Sequence, residues 1–104
     1  MATRYKTISF DIPANGEAVE TILSVPSGSK YKVSAVGRSD AGNHTFVVRV
    51  GDTTIVELPH DMSIGWGDFI PLNLELDGPV NIKIGAVDFS GNTTTQTYSI
   101  AYEV

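Results

Sequence analysis

The chain contains no cysteine, one tryptophan and two histidines. Without cysteine there is no disulfide framework, no thiolate metal site and no thiol nucleophile. Two histidines, His44 and His60, cannot complete a zinc site alone, because such sites need three or four convergent ligands. No metal or other cofactor is therefore assigned. Basic residues are scarce: seven Lys and Arg stand against twelve Asp and Glu, a formal net charge of −5. They are spread over several segments without an aromatic-and-basic cluster, which argues against nucleic-acid binding. No apolar run approaches the ~20 residues of a membrane span. Met1 to Lys6 carry basic residues but no apolar segment follows them, so no signal peptide is expected and synthesis in the cytoplasm is. The apolar share of 41% against 18% charged residues is too high for a disordered chain. A length of 104 residues suits a single domain, 1–104.

What is present is alternation. Ile8, Phe10 and Ile12 alternate with Thr7, Ser9 and Asp11, the mark of a half-buried strand. The pattern resumes at Val19, Thr21, Leu23 and Val25, then at Tyr31, Val33 and Ala35, then at Phe46, Val48 and Val50. Thr53 to Leu58 reads as a return strand after the Gly51-Asp52 turn. Ile70 to Leu76, Val80 to Ala86 and Tyr98 to Val104 complete the set. Turn residues separate these segments: Pro13-Ala14-Asn15-Gly16, Ser27-Gly28-Ser29, Ser39 to Asn43, Asp77-Gly78-Pro79 and Ser90-Gly91-Asn92. About eight short strands at this spacing predict an all-β fold, a single antiparallel β-sandwich of jelly-roll or immunoglobulin-like topology. A closed barrel is the main alternative. The expected core comprises Ile8, Phe10, Leu23, Val25, Tyr31, Val33, Phe46, Val48, Leu72, Leu74, Ile82, Ile84, Ile100 and Tyr102. Thr93 to Thr97, polar on both faces, reads as an edge strand.

The longest connection, Pro59 to Asp68, collects the residues with chemical interest. His60-Asp61 with Ser63 nearby has two members of a hydrolase triad side by side, but adjacent side chains diverge and no Gly-x-Ser-x-Gly elbow is present. No catalytic residue is assigned. Trp66, between Gly65 and Gly67, has Met62, Ile64 and Phe69 close in sequence. It has three readings: a plug for one end of the sandwich, a contact for a protein partner, or a platform on which a sugar stacks. His60, Asp61, Met62, Ile64, Trp66 and Phe69 are the candidate partner-binding residues. The loops at Asp40 and at Asp88 end in Gly-Asn after an acidic residue; they could offer oxygens to calcium, yet the same residues are ordinary turn formers.

The segment Leu23-Ser24-Val25-Pro26-Ser27-Gly28-Ser29-Lys30-Tyr31-Lys32-Val33 resembles the VPxGxxYxV turn of small β-sandwich proteins in tailed-phage and related virions. The likeness continues through the Val50-Gly51-Asp52 hairpin and the closing aromatic strand Tyr98 to Glu103. The Trp66 loop has no counterpart there. The resemblance implies a non-enzymatic structural virion protein of the capsid-decoration, minor-capsid or fibre-base type. Its implied partners are further copies of itself, trimers being common in that setting, and a capsid or other virion protein. Its implied location is the virion, after assembly in the host cytoplasm. The alternative is a carbohydrate-binding β-sandwich module with a glycan on the Trp66 loop.

Overall fold

The computed structural model describes residues 3–38, 44–58, 69–88 and 91–104. They form eight strands: β1 (Thr3–Ile12), β2 (Glu17–Val25), β3 (Lys30–Arg38), β4 (His44–Val50), β5 (Thr53–Leu58), β6 (Phe69–Asp77), β7 (Val80–Asp88) and β8 (Thr94–Glu103). Two antiparallel four-stranded sheets result, with strand orders β1-β8-β3-β6 and β2-β7-β4-β5. Every consecutive pair except β4–β5 divides between the sheets, so the chain crosses the sandwich repeatedly. That order is a jelly roll, and it resolves the choice between jelly-roll and immunoglobulin-like topology. β8 lies between β1 and β3: Thr94 to Glu103 pair with β1, and Tyr98 to Glu103 pair with β3 as well. Among the described residues, Thr94 to Thr97, within the segment expected to be an edge, pair on the β1 side alone. Thr95 and Thr97 lie on the outer face, and the Thr94 hydroxyl turns inward to His44.

The two sheets enclose one core: Ile12, Ile22, Leu23, Val25, Val33, Val36, Phe46, Val48, Leu76, Ile82, Ile84, Ala86, Tyr98 and Ile100. The other expected core residues, Ile8, Phe10, Tyr31, Leu72, Leu74 and Tyr102, pack against it half-buried. The centre is aromatic. Tyr98 lies parallel to Phe46 with ring centroids 5.8 Å apart, and tilts against Phe10 at 5.3 Å.

Bulges shift the inward phase in β2 and β3. In β2 the register with β7 jumps between Thr21 and Leu23, so Ile22 and Leu23 are both buried. In β3 it jumps between Val33 and Ala35, so Val36 rather than Ala35 turns into the core. A bulge adds one unpaired residue and reverses the alternation beyond it.

The turns are tied down by backbone contacts. Pro26 to Ser29 closes with Ser29 N–H donating to Pro26 O at 3.1 Å, and Gly28 takes φ +83°. That is a type II turn, whose third residue needs positive φ. Gly78 then donates to Ser29 O at 2.9 Å. A Cβ on Gly78 would stand 1.8 Å from Pro26 O, so only glycine lets the β6–β7 turn seat against the β2–β3 turn.

Candidate functional site

The inward column of four strands turns polar at the same end of the sandwich. On β3, Val36 is followed two residues later by Arg38. On β4, Phe46 is preceded by His44. On β7, Ala86 is followed by Asp88, and on β8 Tyr98 is preceded by Gln96. All four polar residues are buried, between 3% and 4% exposed. The β period of two keeps them pointing inward, so the core ends in a polar plug rather than in apolar side chains.

Asp88 organises this plug. Its Oδ2 accepts hydrogen bonds from the Asn15 amide at 2.9 Å and the Gly91 amide at 3.1 Å. Its own amide donates to Gly16 O at 2.8 Å. His44 is its cross-strand partner, with Nε2 3.3 Å from Asp88 Oδ1. The Thr94 hydroxyl lies 2.9 Å from the same Nε2. Arg38 donates to His44 O at 3.3 Å, and its guanidinium carbon stands 5.5 Å from the Phe46 ring centroid. Burial pushes the Tyr98 phenol well above its ordinary pKa, opposed only in part by the positive charge of Arg38.

The chemistry this arrangement supports is anchoring. A nucleophile–base–acid relay needs the acid on one imidazole nitrogen and the nucleophile on the other. Here the carboxylate and the hydroxyl approach the same nitrogen, and among the described residues His44 Nδ1 has no hydrogen-bond partner. Asp88, considered as a calcium ligand, spends one carboxylate oxygen on two backbone amides and sets the other beside His44. Among the described residues, no group of three or more His, Cys, Asp or Glu could hold a metal ion.

Of the sequence-predicted partner residues, His60, Asp61, Met62, Ile64 and Trp66 lie outside the described residues, as does Asp40. Phe69 opens β6, where its backbone pairs with Gly37; its side chain is outside the description. Leu58, which closes β5, pairs with Phe46. The two strands that flank the 59–68 segment therefore end beside Arg38 and His44, at the polar plug. Sequence reasoning missed the plug itself. A signal was there: each of its four members sits two residues beyond an apolar inward residue.

The outer faces of the two sheets differ. On the β2-β7-β4-β5 sheet, Arg49 and Lys83 are cross-strand partners, and Arg49 reaches over β7 to Glu17 at 2.6 Å. On the β1-β8-β3-β6 sheet, the register rows Tyr5–Ala101–Ala35–Pro71 and Thr7–Ser99–Gly37–Phe69 contain no charge. Thr7 shares a hydrogen bond with Ser99 at 3.0 Å, and Ser9 with Thr97 at 2.8 Å. Among the described residues, charges return at the ends. Thr95 donates to Asp11 at one end, and the row of Glu103, Lys32 and Glu75 closes the other. That second end forms a shallow depression lined by Tyr31 and Val104, with Tyr31 stacked on Tyr102 at 5.8 Å.

No protein-family model matches the chain, and no curated protein matches it. Among solved structures it is similar to the nucleoplasmin-like N-terminal domain of Drosophila FKBP39. The two share 10% identity and a TM-score of 0.44, over 94% of this chain and 87% of that one.

Proposed function

We propose that this chain is a non-enzymatic structural protein that acts by docking, as a capsid-decoration, minor-capsid or fibre-base subunit of a virion. The observation that carries the reading is how the turns of the jelly roll are fixed. The segment that resembles virion sandwich proteins is a structural clasp. Val25 and Val33 enter the core, Pro26 to Ser29 forms the turn, Gly78 seats on it, and Tyr31 stacks on Tyr102. The likeness thus falls on residues that set the scaffold. At the opposite end the β1–β2 turn is fixed by the Asn15 amide donating to the Asp88 carboxylate and the Asp88 amide donating to Gly16 O. A sandwich whose turns are fixed in this way presents faces and edges with little ordering cost on association, which suits a subunit in a repeated assembly.

In this reading the partners are further copies of the chain and a shell protein, and the location is the virion after assembly in the host cytoplasm. The deciding experiment measures self-association at high protein concentration together with co-sedimentation on capsid particles from the source virus. Concentration-dependent association or particle binding supports the proposal. A strictly monomeric protein with no affinity for particles overturns it.

A further inference from the structure

We infer that Asn15, in the β1–β2 turn, is the site at which this chain deamidates, and that the folded turn holds the reaction in check until the Asp88 end of the sandwich opens. The inference goes beyond the assembly reading and does not depend on it.

The sequence supplies the reactants. Deamidation begins when the main-chain nitrogen after an asparagine loses its proton and attacks the side-chain amide carbon. A C–N bond forms, ammonia leaves, and a succinimide ring results. Water then opens the ring at either carbonyl, giving aspartate or isoaspartate. In isoaspartate the main chain runs through the former side chain. A side chain on the following residue crowds the attack, and glycine has none. Among Asn15, Asn43, Asn73, Asn81 and Asn92, only Asn15 precedes a glycine.

The turn itself favours that dipeptide. Asn15 takes φ 52°, in the left-handed region that asparagine enters more readily than most residues. A Cβ on Gly16 would stand 3.0 Å from Pro13 Cγ, so the position suits glycine.

The fold then withholds the nucleophile. Gly16 N–H donates to Pro13 O at 3.1 Å. The peptide unit that must turn is fastened to Asp88 on both sides. The Asn15 amide donates to Asp88 Oδ2 at 2.9 Å, and Gly16 O accepts from the Asp88 amide at 2.8 Å. The Asn15 side-chain amide lies along Gly91, where a Cβ would stand 3.6 Å from Nδ2 and 3.9 Å from Oδ1. For attack, Gly16 N must release Pro13 O and swing toward the Asn15 side chain, against the Asp88 contacts. Chemistry that needs an opened state tracks how often that state forms. Each product also weakens the clasp that delayed it. Aspartate adds a negative charge to the turn that the Asp88 carboxylate holds, and isoaspartate lengthens the main chain within it.

The test incubates the intact chain in mildly alkaline buffer, folded and in urea. Conversion at each asparagine is followed by peptide mass spectrometry, with isoaspartyl methylation as a second readout. In urea Asn15 should convert ahead of every other asparagine. In native buffer it should convert at least about tenfold more slowly than in urea. Asp88→Ala, or Asp88→Asn if the first does not fold by circular dichroism, should convert at Asn15 several-fold faster than wild type in native buffer. Another asparagine converting first in urea, or equal rates at Asn15 in native buffer and urea, overturns the inference. So does a folded Asp88 variant that deamidates no faster than wild type.

Discussion

The Asn15 amide donates to the Asp88 carboxylate at 2.9 Å, across 73 positions of sequence. This one contact ties the β1–β2 turn, in which Asn15 takes φ 52°, to the end of β7. The same oxygen holds the Gly91 amide, and the other faces His44. Asp88 thus joins two turns and the start of β4 at the end of the sandwich where the core turns polar.

Asp88→Ala should accordingly cost at least about 3 kcal/mol, since it strands two backbone donors worth about 1–3 kcal/mol each. Asp88→Asn keeps one accepting oxygen and should cost about half as much. Asp11→Ala, which removes an exposed carboxylate hydrogen-bonded to Thr95, should cost under about 0.5 kcal/mol. Urea denaturation of the three variants checks the order; equal losses at Asp88 and Asp11 would refute the anchoring role.

Gly85 makes a second kind of demand. It is buried in the middle of β7, and a Cβ there would stand 1.9 Å from Ala18 O and 2.7 Å from Val19 Cα. Backbone is what blocks the space, so the β2–β7 pair has to move. Gly85→Ala should cost about 3 kcal/mol or more. Gly28→Ala, where nothing lies within 4 Å but φ is +83°, should cost about 1 kcal/mol from left-handed strain alone. Thermal melts of the two variants measure the contrast, and a milder effect at Gly85 than at Gly28 would contradict it.

These contrasts show which parts of the molecule a sequence can express. Period-two alternation places Phe46, Val48, Ile82, Ile84 and Ile100 inward without tertiary information, and they form the floor of the core. It misplaces Ala35 and overlooks Ile22 and Val36, because a bulge reverses the phase by one residue and leaves no mark in composition. The polar plug was hidden for a different reason. His44, Asp88 and Gln96 adjoin turn-rich segments, and Asp, Asn, Ser and Gly read there as solvated turns. Only the cross-strand pairing of His44 with Asp88 shows them to be interior.

Tyr98 supplies a pH prediction. Burial raises its phenol pKa above the unfolded value of about 10, so the folded state favours the neutral form. The associated stability is complete below pH 10 and is lost as pH rises toward the folded pKa. Over that window the loss should approach about 1.4 kcal/mol per pH unit. Tyr98→Phe keeps the ring between Phe10 and Phe46 and removes the titrating group. Its stability should fall less steeply than wild type above pH 10. Urea midpoints between pH 9 and 11 decide it, and parallel alkaline limbs would exclude Tyr98 as the cause.

The Arg49–Glu17 pair tests the opposite limb. The two side chains meet at 2.6 Å across β7, but they are 27% and 41% exposed, so water and salt screen them. The hydrogen bond from Arg49 holds the Glu17 carboxyl below its ordinary pKa. A depressed carboxylate contributes stability above its unfolded pKa, and that contribution is lost as pH falls through the folded value. Glu17→Gln should therefore cost under about 1 kcal/mol at neutral pH and low salt. The cost should shrink at high salt and vanish in acid, where wild-type Glu17 is itself neutral. Melting curves at neutral and acidic pH, each at two salt concentrations, separate this from packing. A cost that persists unchanged in acid would mean that Glu17 acts through the shape of its side chain rather than its charge.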